Sequence, residues 1–147
     1  TRVQIGDIDQ ASTSTNIGGA DPADRYYEDW TALSTDVVQG ATYNVTINNG
    51  TSDTDIDIAI WVDWNRDGDF VDAGENMLVG LDNGGGGTFS MKVPLSAELG
   101  KTRMRIRSKY YGTDFNSCGS TSNGEVEDYT LNIVGGWTGT SGTDWAT

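Results

Sequence analysis

The chain has 147 residues, of which 22 are acidic and 9 are basic, so its formal net charge is −13 at pH 7. So large an acidic excess argues against nucleic acid and against anionic membranes as partners. Histidine is absent, which excludes Ser-His-Asp and Cys-His catalysis and most zinc sites. Clustered carboxylates favour divalent cations instead, because a bound metal relieves their mutual repulsion. No apolar run approaches the ~20 residues that a membrane-spanning helix needs, so no membrane insertion is expected.

Five segments alternate between apolar and other residues with the period of two that is typical of β-strands. They are residues 41–47, 55–62, 88–93, 102–110 and 129–133. In the second segment the isoleucines share one face and Asp57 and Trp61 lie on the other. In the fourth, Met104 and Ile106 lie opposite three arginines. The glycine run at 84–87 predicts a hairpin or loop.

These segments are separated by Gly, Asn, Asp and Pro clusters, and no helical pattern lies between them. We therefore expect an all-β fold, an antiparallel, jelly-roll-like β-sandwich of about seven or eight strands. The periodicity stops after residue 134. Residues 1–134 are assigned to one β-sandwich module, and residues 135–147 to a linker or the start of a next domain. The chain begins without a signal peptide, as expected of a piece of a longer precursor.

The strongest local motif is DWNRDGDFVDAGE at residues 63–75, directly after the most regular strand. Acidic or amide side chains recur at every second position and a glycine follows, close to the pattern of calcium-binding loops. Oxygen ligands at alternate positions converge as such a loop curls around the ion, and the glycine permits the sharp turn. The predicted Ca²⁺ ligands are Asp63, Asn65, Asp67, Asp69 through its main-chain carbonyl, and Glu75.

The loop departs from an EF-hand, because its closing acid stands at position 13 and no helices flank it. Asp72 is an alternative ligand that either replaces Glu75 or binds the ion together with it. The spacing of the residues is compatible with both arrangements. The competing interpretation is a solvated acidic hairpin, since Asp, Asn and Gly also favour turns. Calcium is preferred over magnesium because the ligand set is all-oxygen, large and flexible.

Three arginines, Arg103, Arg105 and Arg107, form a one-sided stripe if their segment is a strand. They have two interpretations. Either they pair with the acids of residues 125–128 across neighbouring strands and fix the register, or they bind a sulfated or carboxylated glycan through bidentate guanidinium contacts. The acidic excess of the chain favours pairing.

Aromatic side chains are the second set of candidate ligand contacts. Trp64 lies in the acidic loop, and Tyr110 and Tyr111 lie in the turn-like segment 109–120. Such rings either pack in the core or form a platform for the apolar faces of sugar rings. The acidic pair Glu125 and Glu127 would share one face of a strand and flank no cleft, so a glycosidase is not expected.

Three segments resemble the bacterial GEVED-domain family. They are YYEDWT at 26–31, WVDWNRDGDFVDAGE at 61–75, and TRMRIR followed by CGSTSNGEVEDYTLNI within 102–133, with GEVEDY intact at 124–129. The resemblance covers about residues 26–134 and implies a secreted β-sandwich module attached to larger exported or surface proteins, including peptidases and polysaccharide-degrading enzymes. Relatives often carry a second cysteine near the start of the domain, which implies a bridge to the position of Cys118. This chain has no second cysteine.

The residues and the resemblance together lead to one functional hypothesis. The chain is expected to be a non-catalytic carbohydrate-binding module, secreted or at the cell surface, and stabilised by Ca²⁺. Its partners would be a polysaccharide, of which a marine or sulfated polymer is one option, and a tethered catalytic domain, with the module itself a monomer. The alternative is a structural or adhesive spacer, or a protein-binding module.

Overall fold

A computed structural model describes residues 1–12, 27–48, 55–82, 86–110, 116–119 and 124–136, with the backbone alone for 78–82 and 110. This part of the chain consists of strands and loops, and no helix in it is long and apolar enough to cross a membrane. The nine strands are β1 (Arg2–Ile5), β2 (Ile8–Ala11), β3 (Tyr27–Val38), β4 (Thr42–Asn48), β5 (Ile56–Val62), β6 (Asn76–Asp82), β7 (Gly87–Lys92), β8 (Gly100–Tyr110) and β9 (Gly124–Val134).

The strands form two sheets, with orders β2-β1-β4-β7 and β3-β9-β8-β5-β6. This architecture confirms the all-β sandwich, with nine strands where about seven or eight were expected. One pairing was not expected, because β3 runs parallel to β9, from Tyr27 opposite Val126 to Val38 opposite Val134. The hairpin or loop predicted at 84–87 lies partly outside the described residues, and the strands on either side, β6 and β7, belong to different sheets. Residues 137–147 lie outside the described part.

The core lies between the two sheets and is built from alternate residues of their strands. The cluster contains Val45 and Ile47 from β4, Ile58 and Ile60 from β5, Met104 and Ile106 from β8, and Leu131 and Ile133 from β9. Period-two alternation places each set on one face, as the sequence predicted. Full burial of each such side chain stabilises the fold by about 1.5–3 kcal/mol.

Strand β5 is buried on both faces along its whole length. The face opposite the isoleucines was expected to carry Asp57 and Trp61, and it does, but both side chains are buried. Trp61 is covered by the loop that follows β5, whose Phe70 packs with it and with Ala59 in a second apolar cluster. The acidic loop is therefore held against the outer face of the five-stranded sheet, and this contact positions the candidate site.

Candidate metal centre and ligand pocket

The acidic loop, residues 63–75, joins the antiparallel neighbours β5 and β6. Its curl follows from the spacing of three polar side chains, each of which accepts a hydrogen bond from a backbone N–H two residues ahead. Asn65 accepts from the Asp67 N–H at 3.2 Å, Asp67 from Asp69 at 3.1 Å, and Asp69 from Val71 at 3.0 Å. Gly68 has φ of 95°, a left-handed conformation that glycine adopts without strain.

Three exposed carboxylates converge on the loop. One oxygen from each of Asp67, Asp69 and Asp72 lies within 4.8 Å of the others, and this group could hold a metal ion. The amide nitrogen of Asn65 donates to Asp67 at 3.0 Å and to Asp72 at 2.6 Å, so Asn65 borders the same group. The tertiary structure thus brings Asp72, the alternative ligand of the sequence analysis, together with the predicted Asp67 and Asp69.

The two acids at the ends of the loop are buried. Asp63 is 6% exposed; its Oδ2 accepts from the Gly68 N–H at 3.1 Å, and its Oδ1 has no hydrogen-bond partner in the described part of the chain. Glu75 is 2% exposed and accepts from the N–H groups of Trp64 and Asp72, at 3.1 and 3.2 Å. Glu75 therefore ties the loop ends together and lies outside the group of three aspartates.

Burial raises the pKa of Glu75, and the nearby charges of Asp63 and Asp72 raise it further. The Asp63 oxygen without a hydrogen-bond partner among the described residues and the raised pKa of Glu75 are both features that a bound cation would relieve. The donors are carboxylate, amide and carbonyl oxygens, which are the ligands of a hard cation. The residues present fit Ca²⁺ on these grounds.

A pocket of about 340 Å³ opens between the acidic loop and the outer face of strands β8, β9 and β3. It combines three basic side chains, one aromatic ring, one buried carboxylate and three threonines. The lining is Thr31, Asp63, Arg66, Gly68, Phe70, Lys101, Thr102, Arg103 and Thr130. Sequence reasoning missed Arg66, Phe70 and Lys101, because only the folding of the loop onto the sheet brings them together.

The arginine stripe divides into three different environments. The Arg103 side chain is 52% exposed, lines the pocket, and has its Nε 3.6 Å from Asp128. Arg105, 15% exposed, donates to both oxygens of Asp128 at 2.7 and 2.8 Å and lies over the Phe70 ring.

Arg107 is 1% exposed and donates to the main-chain carbonyls of Asn116 and Gly119. The pairing interpretation therefore holds for Arg105, and burial removes Arg107 from any ligand-binding surface.

The aromatic platform predicted from the sequence is not present at Trp64. This side chain is 5% exposed, packs in the main core, and donates its indole N–H to the sulfur of Met77 at 3.2 Å. The prediction fails there because Trp64 lies near the start of the loop, two residues after the end of β5, and its side chain points into the core. The side chain of Tyr110 and all of Tyr111 lie outside the described residues. Phe70 is the aromatic side chain that lines the pocket.

The GEVEDY segment lies inside β9 and makes internal contacts. Asp128 is fully buried and accepts a third hydrogen bond from the hydroxyl of Tyr27, at 3.0 Å, in addition to the pair from Arg105. Glu127 and Tyr129 occupy the other face of the strand, where the phenol donates to Glu127 at 2.8 Å. The motif thus joins β3, β8 and β9, which is a structural role.

Gly124 starts this segment at a close approach of two strands. A Cβ there would overlap the main-chain carbonyl of Ser108. We expect Gly124→Ala to destabilise the domain by about 1–3 kcal/mol, because backbone must shift to admit the methyl group. The measurement is the urea midpoint, with Gly135→Ala as the control, since nothing lies within 4 Å of a Cβ at Gly135. Equal midpoints for the two variants would contradict the expectation.

Glu127 is a buried acid whose ionisation opposes folding. Burial raises its pKa to about 7, from an ordinary value of 4.5, and the charges of Glu125 and Glu28 contribute. Because the folded state holds this proton more tightly than the unfolded state, the penalty is absent below about pH 4.5. It grows as the pH rises to about 7 and then stays constant, at about 3 kcal/mol.

We expect Glu127→Gln to leave stability unchanged near pH 4 and to raise it by up to about 3 kcal/mol near pH 8. Glutamine keeps an oxygen for the Tyr129 hydroxyl and carries no charge. Urea unfolding at both pH values measures the difference, with the exposed Glu98→Gln as the matched control. A Glu127→Gln effect that is the same at both pH values would show that folding does not raise the pKa of Glu127.

Taken together, the fold and site define a β-sandwich module with an acidic loop packed against one sheet. The family model of the GEVED domain matches residues 57–132, which is more than half of the chain. The chain belongs to the GEVED domain family, and the match confirms the resemblance described from its motifs. No curated protein matched the sequence.

Proposed function

We propose that this GEVED domain is a non-catalytic carbohydrate-binding module of a secreted or surface protein, and that calcium stabilises it. The observation that carries the proposal is the pocket in which the Phe70 ring, threonine side chains and charged groups lie together beside the acidic loop. Sugar rings present apolar C–H faces surrounded by hydroxyls, so a wall of mainly polar side chains with the small apolar area that the 8% exposed Phe70 leaves open suits them.

Calcium would be held by Asp67, Asp69 and Asp72, with Asn65 and Asp63 as further oxygen donors. The ion would neutralise carboxylates that otherwise repel one another. It would also hold the loop, and with it Arg66 and Phe70, at the mouth of the pocket. A structural ion that orders one wall of the pocket would make ligand binding weaken when calcium is removed.

The positions of the two candidate catalytic acids support a binding role without catalysis. Glu125 and Glu127 are both buried on the inward face of β9. They point away from the pocket, so they do not flank a cleft into which a glycosidic bond could enter. The module would instead act by keeping a tethered catalytic domain near its polysaccharide, which raises the effective concentration of substrate.

Affinity electrophoresis of the chain against a panel of neutral and acidic polysaccharides tests the proposal. We expect retardation by at least one polymer in calcium and weaker retardation in EDTA. Circular dichroism under both conditions shows whether the protein is folded. Migration unaffected by every polymer, with a folded and calcium-loaded protein, would contradict a carbohydrate-binding function.

A structural or adhesive module is the second candidate, and a specific observation favours it. The GEVEDY segment, on which the family resemblance is based, uses its Glu127, Asp128 and Tyr129 side chains for hydrogen bonds within the domain. Leu95 and Leu99, in the connection between β7 and β8, are exposed. This candidate predicts no binding to any polysaccharide in the same panel.

A further inference from the structure

Positive charge is concentrated in the pocket although the chain as a whole is strongly acidic. Three of the nine basic residues, Arg66, Lys101 and Arg103, line it, in a chain of net charge −13. We propose that the pocket binds a single anionic group, a carboxylate or sulfate, on a saccharide unit of an otherwise neutral glycan. This inference rests on the proposed carbohydrate-binding function and specifies its ligand.

The three cations reach the pocket from two directions. Lys101 and Arg103 lie two residues apart on β8 and both are exposed. Arg66 comes from the acidic loop, at a left-handed φ of 59°. Its guanidinium donates through Nη1 to the Leu99 carbonyl at 2.7 Å and through Nε to the Lys101 carbonyl at 3.1 Å. These two bonds orient the guanidinium, and Nη2 has no hydrogen-bond partner among the described residues.

Neighbouring acids cancel only part of this charge. Asp63 lines the pocket, but its Oδ2 is bonded to the Gly68 N–H. Asp128 is 3.6 Å from Arg103 but is held at shorter distance by both guanidinium nitrogens of Arg105. The exposed Asp29 also interacts with Arg103. Lys101 forms no ion pair within the part of the chain that the structure describes. The lining of the pocket itself therefore has net positive charge, with three basic side chains against the one carboxylate of Asp63.

The remaining lining indicates an organic anion. The Phe70 side chain is 8% exposed and has the Arg105 guanidinium 5.1 Å from its ring centre, so it adds only a small apolar area to the wall of the pocket. The hydroxyl of Thr130 already donates to the Thr31 carbonyl at 2.8 Å and retains lone pairs that can accept from a sugar hydroxyl. A volume of about 340 Å³ is at the small end for ligand pockets, which suits one unit of a chain better than a long segment.

The net negative charge of the chain favours a ligand with few anionic groups. A polymer with an anionic group on every unit would be repelled by the acidic surface around the pocket. An isolated anionic unit between neutral ones meets the local cations without this repulsion. The Arg66 nitrogens Nε and Nη1 already donate to main-chain carbonyls, so Nη2 would donate to one oxygen of the ligand, which a carboxylate and a sulfate both offer.

The test is calorimetric titration of the calcium-loaded chain with three matched oligosaccharides. The first carries one glucuronate, the second is the same molecule with the carboxylate reduced to a neutral alcohol, and the third carries one sulfate on the neutral molecule. We expect at least one acidic oligosaccharide to bind about tenfold more tightly than the neutral one, the difference that a charge-assisted hydrogen bond of about 1.5 kcal/mol provides. Comparison of the first and third identifies the preferred group.

Lys101→Met should reduce this preference by about tenfold, whereas Lys92→Met should preserve it. Both lysines are exposed, and Lys92 lies on β7 in the other sheet. Equal binding of neutral and acidic oligosaccharides, or equal effects of the two substitutions, would overturn the anion site and leave the carbohydrate-binding function standing. Absence of binding by all three oligosaccharides and by every polymer of the panel would overturn both.

Discussion

Replacing Asp128 with alanine is expected to lower the free energy of unfolding by about 3–5 kcal/mol. Asp128 is fully buried and accepts from Arg105 at 2.7 and 2.8 Å and from the Tyr27 hydroxyl at 3.0 Å. The bonds to Asp128 raise the pKa of Arg105, which keeps the guanidinium charged in the fold. Without the carboxylate, that charge is left largely buried and unpaired, and β3, β8 and β9 lose a shared contact.

Urea unfolding measures the effect, and Asp36→Ala provides the control. Asp36 is an exposed aspartate of β3 that accepts one hydrogen bond from Asn132 at 2.8 Å, so its loss should cost less than about 1 kcal/mol. In a double-mutant cycle, Arg105→Met with Asp128→Leu should lose less than the sum of the single changes, because no buried charge remains. If Asp128→Ala were as stable as Asp36→Ala, the buried pair would not hold the sheet together.

Chelation of calcium is expected to lower the melting temperature by about 5–10 °C. At a free calcium concentration 100 times the Kd, binding contributes about 2.7 kcal/mol, and each kcal/mol corresponds to roughly 2–4 °C in a domain of this size. The physical reason is repulsion among Asp67, Asp69 and Asp72, whose oxygens lie within 4.8 Å of one another. Differential scanning calorimetry in calcium and in EDTA measures the shift.

Asp72→Asn separates metal binding from general effects of charge. This variant should lose most of the calcium-dependent shift, and in EDTA it should be at least as stable as the parent, since one of three repelling charges is removed. Asp55→Asn, at an exposed position just before β5, should keep the full shift. An unchanged melting curve in EDTA, from a protein shown to contain calcium beforehand, would exclude a stabilising ion.

Most of the sandwich could be predicted from local patterns. Strands β4, β5, β7, β8 and β9 each cover a segment with period-two alternation, because one face of each is buried in the core. Strand β3 escaped prediction because polar residues occupy most of its length and its alternation breaks between Trp30 and Ser34, where its register with β9 shifts. Its parallel pairing joins residues 99 positions apart, such as Tyr27 and Val126, and no local pattern encodes such a contact.

The candidate site also has features that depend on neighbouring residues of the loop and features that depend on distant ones. The alternate spacing of Asn65, Asp67 and Asp69 by itself favours the curl of the loop, since each of these side chains closes a turn within two residues. The placement of Asp72 with the other aspartates, and of Glu75 against the backbone, depends on where β6 begins beside β5.

The amino-acid sequence alone therefore determined the β-sandwich class, the acidic loop and the family, because these follow from periodicity and from residues close together in the chain. Only the tertiary structure decided that Trp64 is buried and Phe70 lines the pocket, although both belong to the same loop. It also decided that Arg103 is exposed while Arg105 and Arg107 are held in internal contacts. Side chains on one face of a strand share a direction, but their neighbours come from distant segments, and those neighbours determine burial and charge.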